Sequence, residues 1–212
     1  MSDSSVFNED YYLRGKESGL SNYENYRWLG DVTLTYAIYL RRHLGIQEGD
    51  KVLEIGCARG YLVKALRMMK IEAIGQDVSE WAIANCDPDV VGFVSTALET
   101  RSKEYDYVIG KDTLEHIPIQ VLQSLIPRLC YATKKTLLFI VPLTSEKGGR
   151  FLRQEDEMDQ THIVRFTLHD WLLFLAPLAS EFTVHGSYHL PGVKPASTEV
   201  PQSCGFLTLE RV

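Results

Sequence analysis

The sequence predicts an α/β fold in which helices cover both faces of a mainly parallel sheet. Short apolar runs of strand length alternate with helical stretches, and a glycine-containing turn joins the first strand to a helix. The chain has 212 residues, enough for one domain with a sizeable core. We therefore expect a single domain over residues 1–212, with an arm and cover helix in 1–45 and the core in 46–212.

The predicted elements follow in chain order. Residues 1–25 are polar with interleaved aromatic residues, which is typical of an arm or lid, and a helical pattern over 26–44 ends at Gly45. Apolar runs predict strands at 51–55, 71–76, 90–94, 105–109 and 136–141. Helical patterns lie at 61–70, 79–85, 118–132 and 167–178, with Ser79 and Thr167 as N-caps.

The last third of the chain changes character. Strands are predicted at 182–190 and 205–211, and the connection between them, 191–203, is rich in proline and has no helical pattern. Parallel neighbours need a crossover connection, usually a helix. We therefore expect the last two strands to pair antiparallel at one edge of the sheet.

Composition excludes several classes of partner. The formal net charge is -6, and an acidic surface repels phosphate backbones, so we expect no nucleic-acid partner. No apolar run approaches the roughly 18 residues of a membrane helix, and the first ten residues do not resemble a signal peptide. The four cysteines are too far apart in sequence for a metal knuckle. We expect buried free thiols, a cytoplasmic location, no membrane partner and no metal; the oligomeric state stays open.

The turn after the first strand is the most informative segment. Glycines let the backbone bend sharply and let a ligand approach the main chain. A dinucleotide-binding turn needs Gly-x-Gly-x-x-Gly, but Ala58 and Tyr61 occupy two of its three glycine positions. The pattern acid-x-Gly-x-x-x-Gly fits Glu54, Gly56 and Gly60 instead. An acid at the strand end suits a ligand that carries an ammonium group.

A second acid follows at the tip of the next predicted strand. Asp77 comes about 20 residues after Gly56, where an acid can accept hydrogen bonds from both hydroxyls of a ribose. The alternative is that Asp77 is an N-cap or turn residue. Together, in this strand–turn–helix context, the turn and the two acids predict a site for a ligand that carries an ammonium group and a ribose.

With these motifs, residues 50–143 resemble the class I S-adenosylmethionine-dependent methyltransferases. The segments that carry the resemblance are Val52–Leu62, Gly75–Ser79, Tyr105–Ile109, Asp112–Ile117 and Leu137–Pro142. The resemblance implies a Rossmann-like, doubly wound, seven-stranded sheet of order 3-2-1-4-5-7-6, mostly parallel with an antiparallel edge hairpin. It also implies S-adenosylmethionine as cofactor, with S-adenosylhomocysteine as product.

By position, the resemblance implies a set of cofactor-binding residues. The turn surrounds the methionine part, Asp77 holds the ribose, and residues after the second and third strands flank the adenine. Two positions depart from the common pattern, because Ala58 replaces a middle glycine and Thr96 replaces an acid. The implied residues are Glu54, Gly56, Cys57, Ala58, Gly60, Tyr61, Asp77, Val78, Trp81, Thr96, Ala97, Lys111 and Asp112, with Tyr26 from the arm.

Three residues are candidates for proton transfer. His116 follows the fourth strand, at the carboxyl edge where open α/β sheets bind ligands, and a histidine titrates near neutral pH. Asp159 and His162 follow the fifth strand, three residues apart, and can form a base dyad. The alternatives are that His116 caps or packs against the next helix and that 155–162 is a solvated acidic loop.

We therefore expect in-line methyl transfer to a small-molecule acceptor, with histidine as a possible base. The chain has little beyond its core and no basic groove. Two alternatives stay open: a methyltransferase that acts on a protein or glycan, and a cofactor-binding protein of the same fold that has lost catalysis. The glycine pattern disfavours a nicotinamide dehydrogenase.

Overall fold

The computed structural model describes residues 4–98, 100–190, 200 and 202–212, and a seven-stranded sheet lies at its centre. The strands are β1 (Lys51–Ile55), β2 (Glu72–Gln76), β3 (Val94–Ser95), β4 (Tyr105–Lys111), β5 (Thr133–Pro142), β6 (Phe182–Ser187) and β7 (Cys204–Arg211). Their order is β3-β2-β1-β4-β5-β7-β6. Strands β1 to β5 pair in parallel, whereas β7 runs antiparallel to both β5 and β6. The predicted Rossmann-like sheet, with its strand order and edge hairpin, is confirmed.

Helices lie on both faces of this sheet. Among the described residues they are α1 (Glu9–Leu13), α2 (Gly15–Ser18), α3 (Gly30–Leu44), α4 (Tyr61–Met68), α5 (Glu80–Ala84), α6 (Ile119–Ala132), α7 (Gln154–Met158) and α8 (Leu168–Leu175). Short 3-10 turns cover Ser4–Val6, Pro88–Val90, Leu114–His116 and Ala176–Leu178. In the part of the chain that the structure describes, no helix has the length and apolar character to cross a membrane.

The parallel register brings three strand ends to one edge of the sheet. Ile55 at the end of β1 lies opposite Gln76 of β2 and Gly110 of β4. The residues that follow these ends, including Asp77 and Lys111, therefore meet in one place, as ligand-binding residues do in open α/β sheets.

Two cores flank the sheet, because alternate residues of each strand point to opposite faces. Leu53 of β1 packs in one core with the fully buried Trp171 of α8. Its neighbour Val52 packs in the other core, with Leu40 of α3 and Leu66 of α4. This two-sided burial explains why the central strands are near-continuous apolar runs in the sequence.

The third strand differs from the prediction. A strand was expected at 90–94, but the chain forms a 3-10 turn at Pro88–Val90 and pairs only at Val94–Ser95. The Asp87 carboxylate accepts a hydrogen bond from the Asp89 backbone and caps this turn. Gly92 then adopts a positive φ of 83°, which interrupts an extended strand.

The boundaries of the first long helix and of the last strand pair also differ from those predicted from the sequence. Helix α3 begins at Gly30 rather than at 26. Strand β6 ends at Ser187 rather than at 190. At this end the Ser187 hydroxyl donates to the His189 carbonyl oxygen and accepts a hydrogen bond from the His189 backbone N–H. Most of the predicted loop 191–203 lies outside the described residues. The predicted caps at Ser79 and Thr167 are confirmed, the latter as a capping box with Asp170.

All four cysteines are free thiols. Cys57, Cys130 and Cys204 are buried and Cys86 is half-buried. This agrees with the expectation of unpaired cysteines.

The sheet core sets the stability of the fold. We expect Phe139→Ala to lower the free energy of unfolding by about 3–5 kcal/mol, because the ring is fully buried in the centre of β5. Leu173→Ala, on the exposed side of α8, should change it by less than about 0.5 kcal/mol. Urea denaturation of both variants measures the difference, and equal losses would contradict the proposed core.

Candidate active site

The turn after β1 is built from residues in the left-handed region. Gly56, Ala58 and Gly60 have φ values of 71°, 47° and 77°. The backbone N–H groups of Gly56 and Cys57 both donate to the Gln76 carbonyl oxygen, at 2.7 and 3.0 Å. The turn is therefore fixed to the end of β2. Ala58 is the position where the sequence departs from glycine, and it keeps the left-handed conformation despite its side chain.

This conformation directs a backbone donor at Asp77. The Ala58 N–H donates to Asp77 Oδ2 at 2.7 Å, and the Ser79 N–H donates to Asp77 Oδ1 at 2.8 Å. Burial raises the pKa of Asp77, and these two N–H groups oppose the rise. Each oxygen of the Asp77 carboxylate can accept a further hydrogen bond, so Asp77 is suited to accept from a pair of hydroxyl groups.

Glu54 lies beneath the same turn and is only 7% exposed. Within the described residues, its Oε2 atom has no hydrogen-bond partner. Burial raises the pKa of Glu54 to about 8, although the Lys111 ammonium acts in the opposite direction. A buried carboxyl group with an orphaned oxygen fits a ligand that brings its own ammonium group, as the methionine part of S-adenosylmethionine does.

Lys111 is the last residue of β4 and Asp112 follows it at this edge, and the two side chains form an ion pair. Asp112 has a positive φ of 50°, and its backbone N–H donates to the Ile140 carbonyl of β5 at 2.8 Å. The structure thus brings Lys111, Asp112 and Glu54 together.

Tyr36 belongs to the same region, and sequence reasoning missed it. Its hydroxyl is buried and has no hydrogen-bond partner among the described residues. Burial raises the pKa of Tyr36 well above its usual value, and the nearby Asp112 and Glu54 carboxylates add to the rise. No signal could have found it, because a tyrosine at helical spacing in α3 looks like a core residue.

The residues predicted to flank an adenine lie beside Asp77. Val78 is 59% exposed, and Trp81 is half-buried under the arm. The ring of Tyr12 stacks on Trp81 with 5.5 Å between centroids. Thr96 and Ala97 are exposed, and Gln76 donates a hydrogen bond to the Ala97 carbonyl.

The remaining predicted residues divide between the turn and the core. Tyr61 begins α4, and its ring lies 5.3 Å from that of Tyr26. The Cys57 side chain packs in the core with Val63 and contacts the sheet beneath the turn.

The N-terminal arm closes over this edge of the sheet. Tyr11 and Tyr12 of α1 are only 3% and 4% exposed, and they form a small third core with Ala58 of the turn and Ala82 of α5, which the sequence interpretation did not anticipate. The Ser79 hydroxyl donates to the Phe7 carbonyl, and Arg59 donates to the Tyr26 carbonyl at 3.2 Å. The arm is thus bound to both the turn and the end of β2.

The three candidates for proton transfer lie in one cluster, in which Asp159 and His162 are buried and His116 is half-buried. The rings of His116 and His162 are 4.6 Å apart between centroids, and Asp159 Oδ2 lies 3.8 Å from His162 Nε2. Asp159 and His162 are 6% and 9% exposed, so the alternative of a solvated loop does not describe these two residues. Tyr11 of the arm donates its hydroxyl hydrogen to Asp159 Oδ2 at 2.8 Å.

The imidazole of His116 is neutral at physiological pH. Burial and the neighbouring His162 lower the pKa of His116 to about 4. A neutral imidazole has one nitrogen with a bare lone pair, which can accept a proton.

The same cluster has donors that could hold a metal ion. One ligand atom from each of Glu115, His116 and His162 lies within 4.8 Å of the others. Imidazole nitrogens with a carboxylate oxygen form a donor set that several divalent metals accept. The expectation of no metal stays a prediction, and this cluster is the place to test it.

Comparison with known proteins agrees with this architecture. A family model described as "Methyltransferase domain" matches residues 31–175. No curated protein matches the chain.

Several solved structures share the fold. A SAM-dependent methyltransferase from Archaeoglobus fulgidus is 19% identical, with a TM-score of 0.64 over 84% of this chain and 94% of its own. The magnesium protoporphyrin IX methyltransferase of Synechocystis PCC 6803, with bound SAM, is 14% identical, with a TM-score of 0.63 over 100% and 98%. The 1,6-didemethyltoxoflavin-N1-methyltransferase of Burkholderia thailandensis is 14% identical, with a TM-score of 0.65 over 99% and 88%. At these identities the likeness shows the fold.

The turn depends on the absence of a side chain at Gly56. A Cβ atom there would lie 2.3 Å from Thr113 Oγ1, at a φ of 71°. We expect Gly56→Ala to cost about 2 to 4 kcal/mol of stability, from left-handed strain plus displacement of Thr113. Gly45→Ala is the matched control, because its φ is 70° but nothing lies within 4 Å of the added Cβ, so it should cost only about 1 kcal/mol. Denaturant titration compares them; equal losses would show that Thr113 does not constrain the turn.

Proposed function

Because the chain belongs to the methyltransferase domain family, we propose that it is an active enzyme that transfers the methyl group of S-adenosylmethionine to a small-molecule acceptor. The observation that supports a small-molecule acceptor is the position of the N-terminal arm, which covers the site. Tyr11 bonds to Asp159, 148 residues away in the chain, so the arm spans the site from β2 to the segment after β5. A site that the arm covers favours a small acceptor over a protein or glycan chain, which would need an open groove.

S-adenosylmethionine is the cofactor of this family, and the residues present fit it. Glu54 would take the ammonium group, since its Oε2 is buried and lacks a partner in the described part of the chain. Asp77 would hold the ribose hydroxyls, already oriented by two backbone donors. Val78 and Trp81 would flank the adenine. Tyr36 would add a neutral hydroxyl donor near the methionine end.

When bound, the cofactor supplies a methyl group on a sulfonium, which is an activated leaving group. The protein's own work is therefore to orient the acceptor and exclude water. The arm and the cluster of His116, Asp159 and His162 orient the acceptor and exclude water at the carboxyl edge of β4. The neutral His116 can accept a proton from the acceptor, which helps where the acceptor is a hydroxyl or an amine.

Two further observations support the proposal. One structural neighbour is named for magnesium protoporphyrin IX and another has bound 1,6-didemethyltoxoflavin, so this fold accommodates small acceptors in those proteins. The four free thiols suit a reducing compartment, which supports a cytoplasmic location.

Transfer itself tests the proposal. We expect the purified protein to move labelled methyl from S-adenosylmethionine into the small-molecule fraction of a cell extract, and not into its protein or glycan fractions. Asp77→Ala should weaken cofactor affinity by about tenfold or more, or about 1.4 kcal/mol. Asp89→Ala, an exposed acid on the neighbouring turn, is the matched control and should behave as the wild type. Label found only in protein or glycan would favour the second kind of methyltransferase, and no label in any fraction would favour a non-catalytic binding protein.

The raised pKa of Glu54 predicts proton release on cofactor binding. With a pKa of about 8, the carboxyl group is mostly protonated at pH 7, and a bound ammonium group lowers that pKa, so the proton leaves. Calorimetric titration with S-adenosylhomocysteine in two buffers of different ionisation enthalpy should detect release of about one proton per site. Glu54→Gln should bind more weakly and release none. Equal proton release by this variant would assign the proton to another group.

A further inference from the structure

The hydroxyl of Thr161 lies between two of the candidate catalytic residues. Its Oγ1 atom is 2.7 Å from His116 Nδ1 and 2.5 Å from Asp159 Oδ1. Asp159 also accepts hydrogen bonds from the Thr161 backbone N–H at 2.9 Å and from the Tyr11 hydroxyl at 2.8 Å. Three donors therefore hold the carboxylate in one orientation.

The number of hydrogens available on each group determines which atom donates and which accepts in these two hydrogen bonds. A carboxylate only accepts, and a hydroxyl has a single hydrogen to donate. The Thr161 hydroxyl therefore donates to Asp159 and accepts from His116. The hydrogen in the second bond must belong to His116 Nδ1. A neutral imidazole with its proton on Nδ1 has a bare lone pair on Nε2.

Packing fixes the plane of the same ring. Phe7 of the arm and His162 contact the His116 ring edge-on, with centroids 5.6 and 4.6 Å away. The groups that face His116 are His162, Asp159, Asp112 and the Thr161 backbone. A carboxylate oxygen of the buried Glu115 also lies within 4.8 Å of a ring nitrogen of His116. Buried hydrogen-bond networks of this kind hold one arrangement, because a partly satisfied alternative is costly.

We propose that Thr161 and Asp159 are positioning residues that hold His116 as its Nδ1-protonated tautomer, so that Nε2 accepts the proton of a hydroxyl or amine acceptor. This rests on the proposed methyltransferase function. Tyr11 completes the arrangement by binding the second oxygen of Asp159, so docking of the arm and orientation of the base are linked.

The step balances. The acceptor's proton goes to His116 Nε2, and the electron pair of the broken bond stays on the acceptor atom. That atom forms the new bond to the methyl carbon, and the carbon–sulfur pair returns to sulfur. A sulfonium and a neutral acceptor give a thioether, a methylated acceptor and an imidazolium, with the positive charge conserved. The acceptor class is thus one that loses a proton on methylation.

The tautomer can be observed directly, without an acceptor or activity. In protein labelled with ¹⁵N at histidine, we expect His116 Nδ1 to resonate as a protonated nitrogen and Nε2 as a bare one, with His116→Asn assigning the signals. Thr161→Val should remove this preference and Thr161→Ser should restore it. A wild-type His116 protonated on Nε2, or a Thr161→Val spectrum like the wild type, would overturn the proposal.

Turnover tests the consequence. With an acceptor in hand, we expect Thr161→Val to lower kcat by about 100-fold while affinity for S-adenosylhomocysteine is unchanged. The matched control is Thr133→Val, which removes another hydrogen-bonded hydroxyl, at the far end of β5, and should leave kcat unchanged. Full turnover in Thr161→Val would overturn the positioning role. Failure of the wild type to bind S-adenosylhomocysteine would instead refute the proposed function and leave the tautomer result standing.

Discussion

The hydrogen bond from the Ala58 backbone to the Asp77 carboxylate joins the turn after β1 to the end of β2, and the rest of the site depends on it. It exists because the parallel register places the ends of these strands side by side. The left-handed turn then exposes an N–H group toward β2 while Glu54 stays buried beneath it. The arm is hydrogen-bonded to this same unit through Ser79 and Arg59. The position of the arm therefore depends on the same contact between the turn and the end of β2.

Much of this could be predicted from sequence, because it depends on local patterns. Glu54, Gly56 and Gly60 keep a fixed spacing around one turn, and Asp77 follows at the next strand end. Parallel pairing of short apolar strands then determines that these residues meet. The third strand was misplaced because an apolar run at 90–94 looks extended, whereas a cap at Asp87 and a positive φ at Gly92 decide the backbone there.

The acceptor side could not be predicted in the same way, because its contacts join distant parts of the chain. Nothing local to Tyr11 indicates that its hydroxyl binds Asp159, and a threonine such as Thr161 carries no signal of its own. From the sequence, His116 was one candidate, and Asp159 with His162 was a second, separate one. Only the fold brings them into one cluster and shows the direction of their hydrogen bonds. These residues remain proposals for catalysis, whereas the family and its cofactor are established by the match.

The central claim is that the unit formed by the β1 turn and Asp77 binds S-adenosylmethionine rather than a dinucleotide. Calorimetric titration of the purified protein with S-adenosylhomocysteine, with NAD as the control ligand, tests it most directly. We expect micromolar binding of the first ligand and none of the second. Binding of NAD, or no binding of S-adenosylhomocysteine by folded protein, would contradict it.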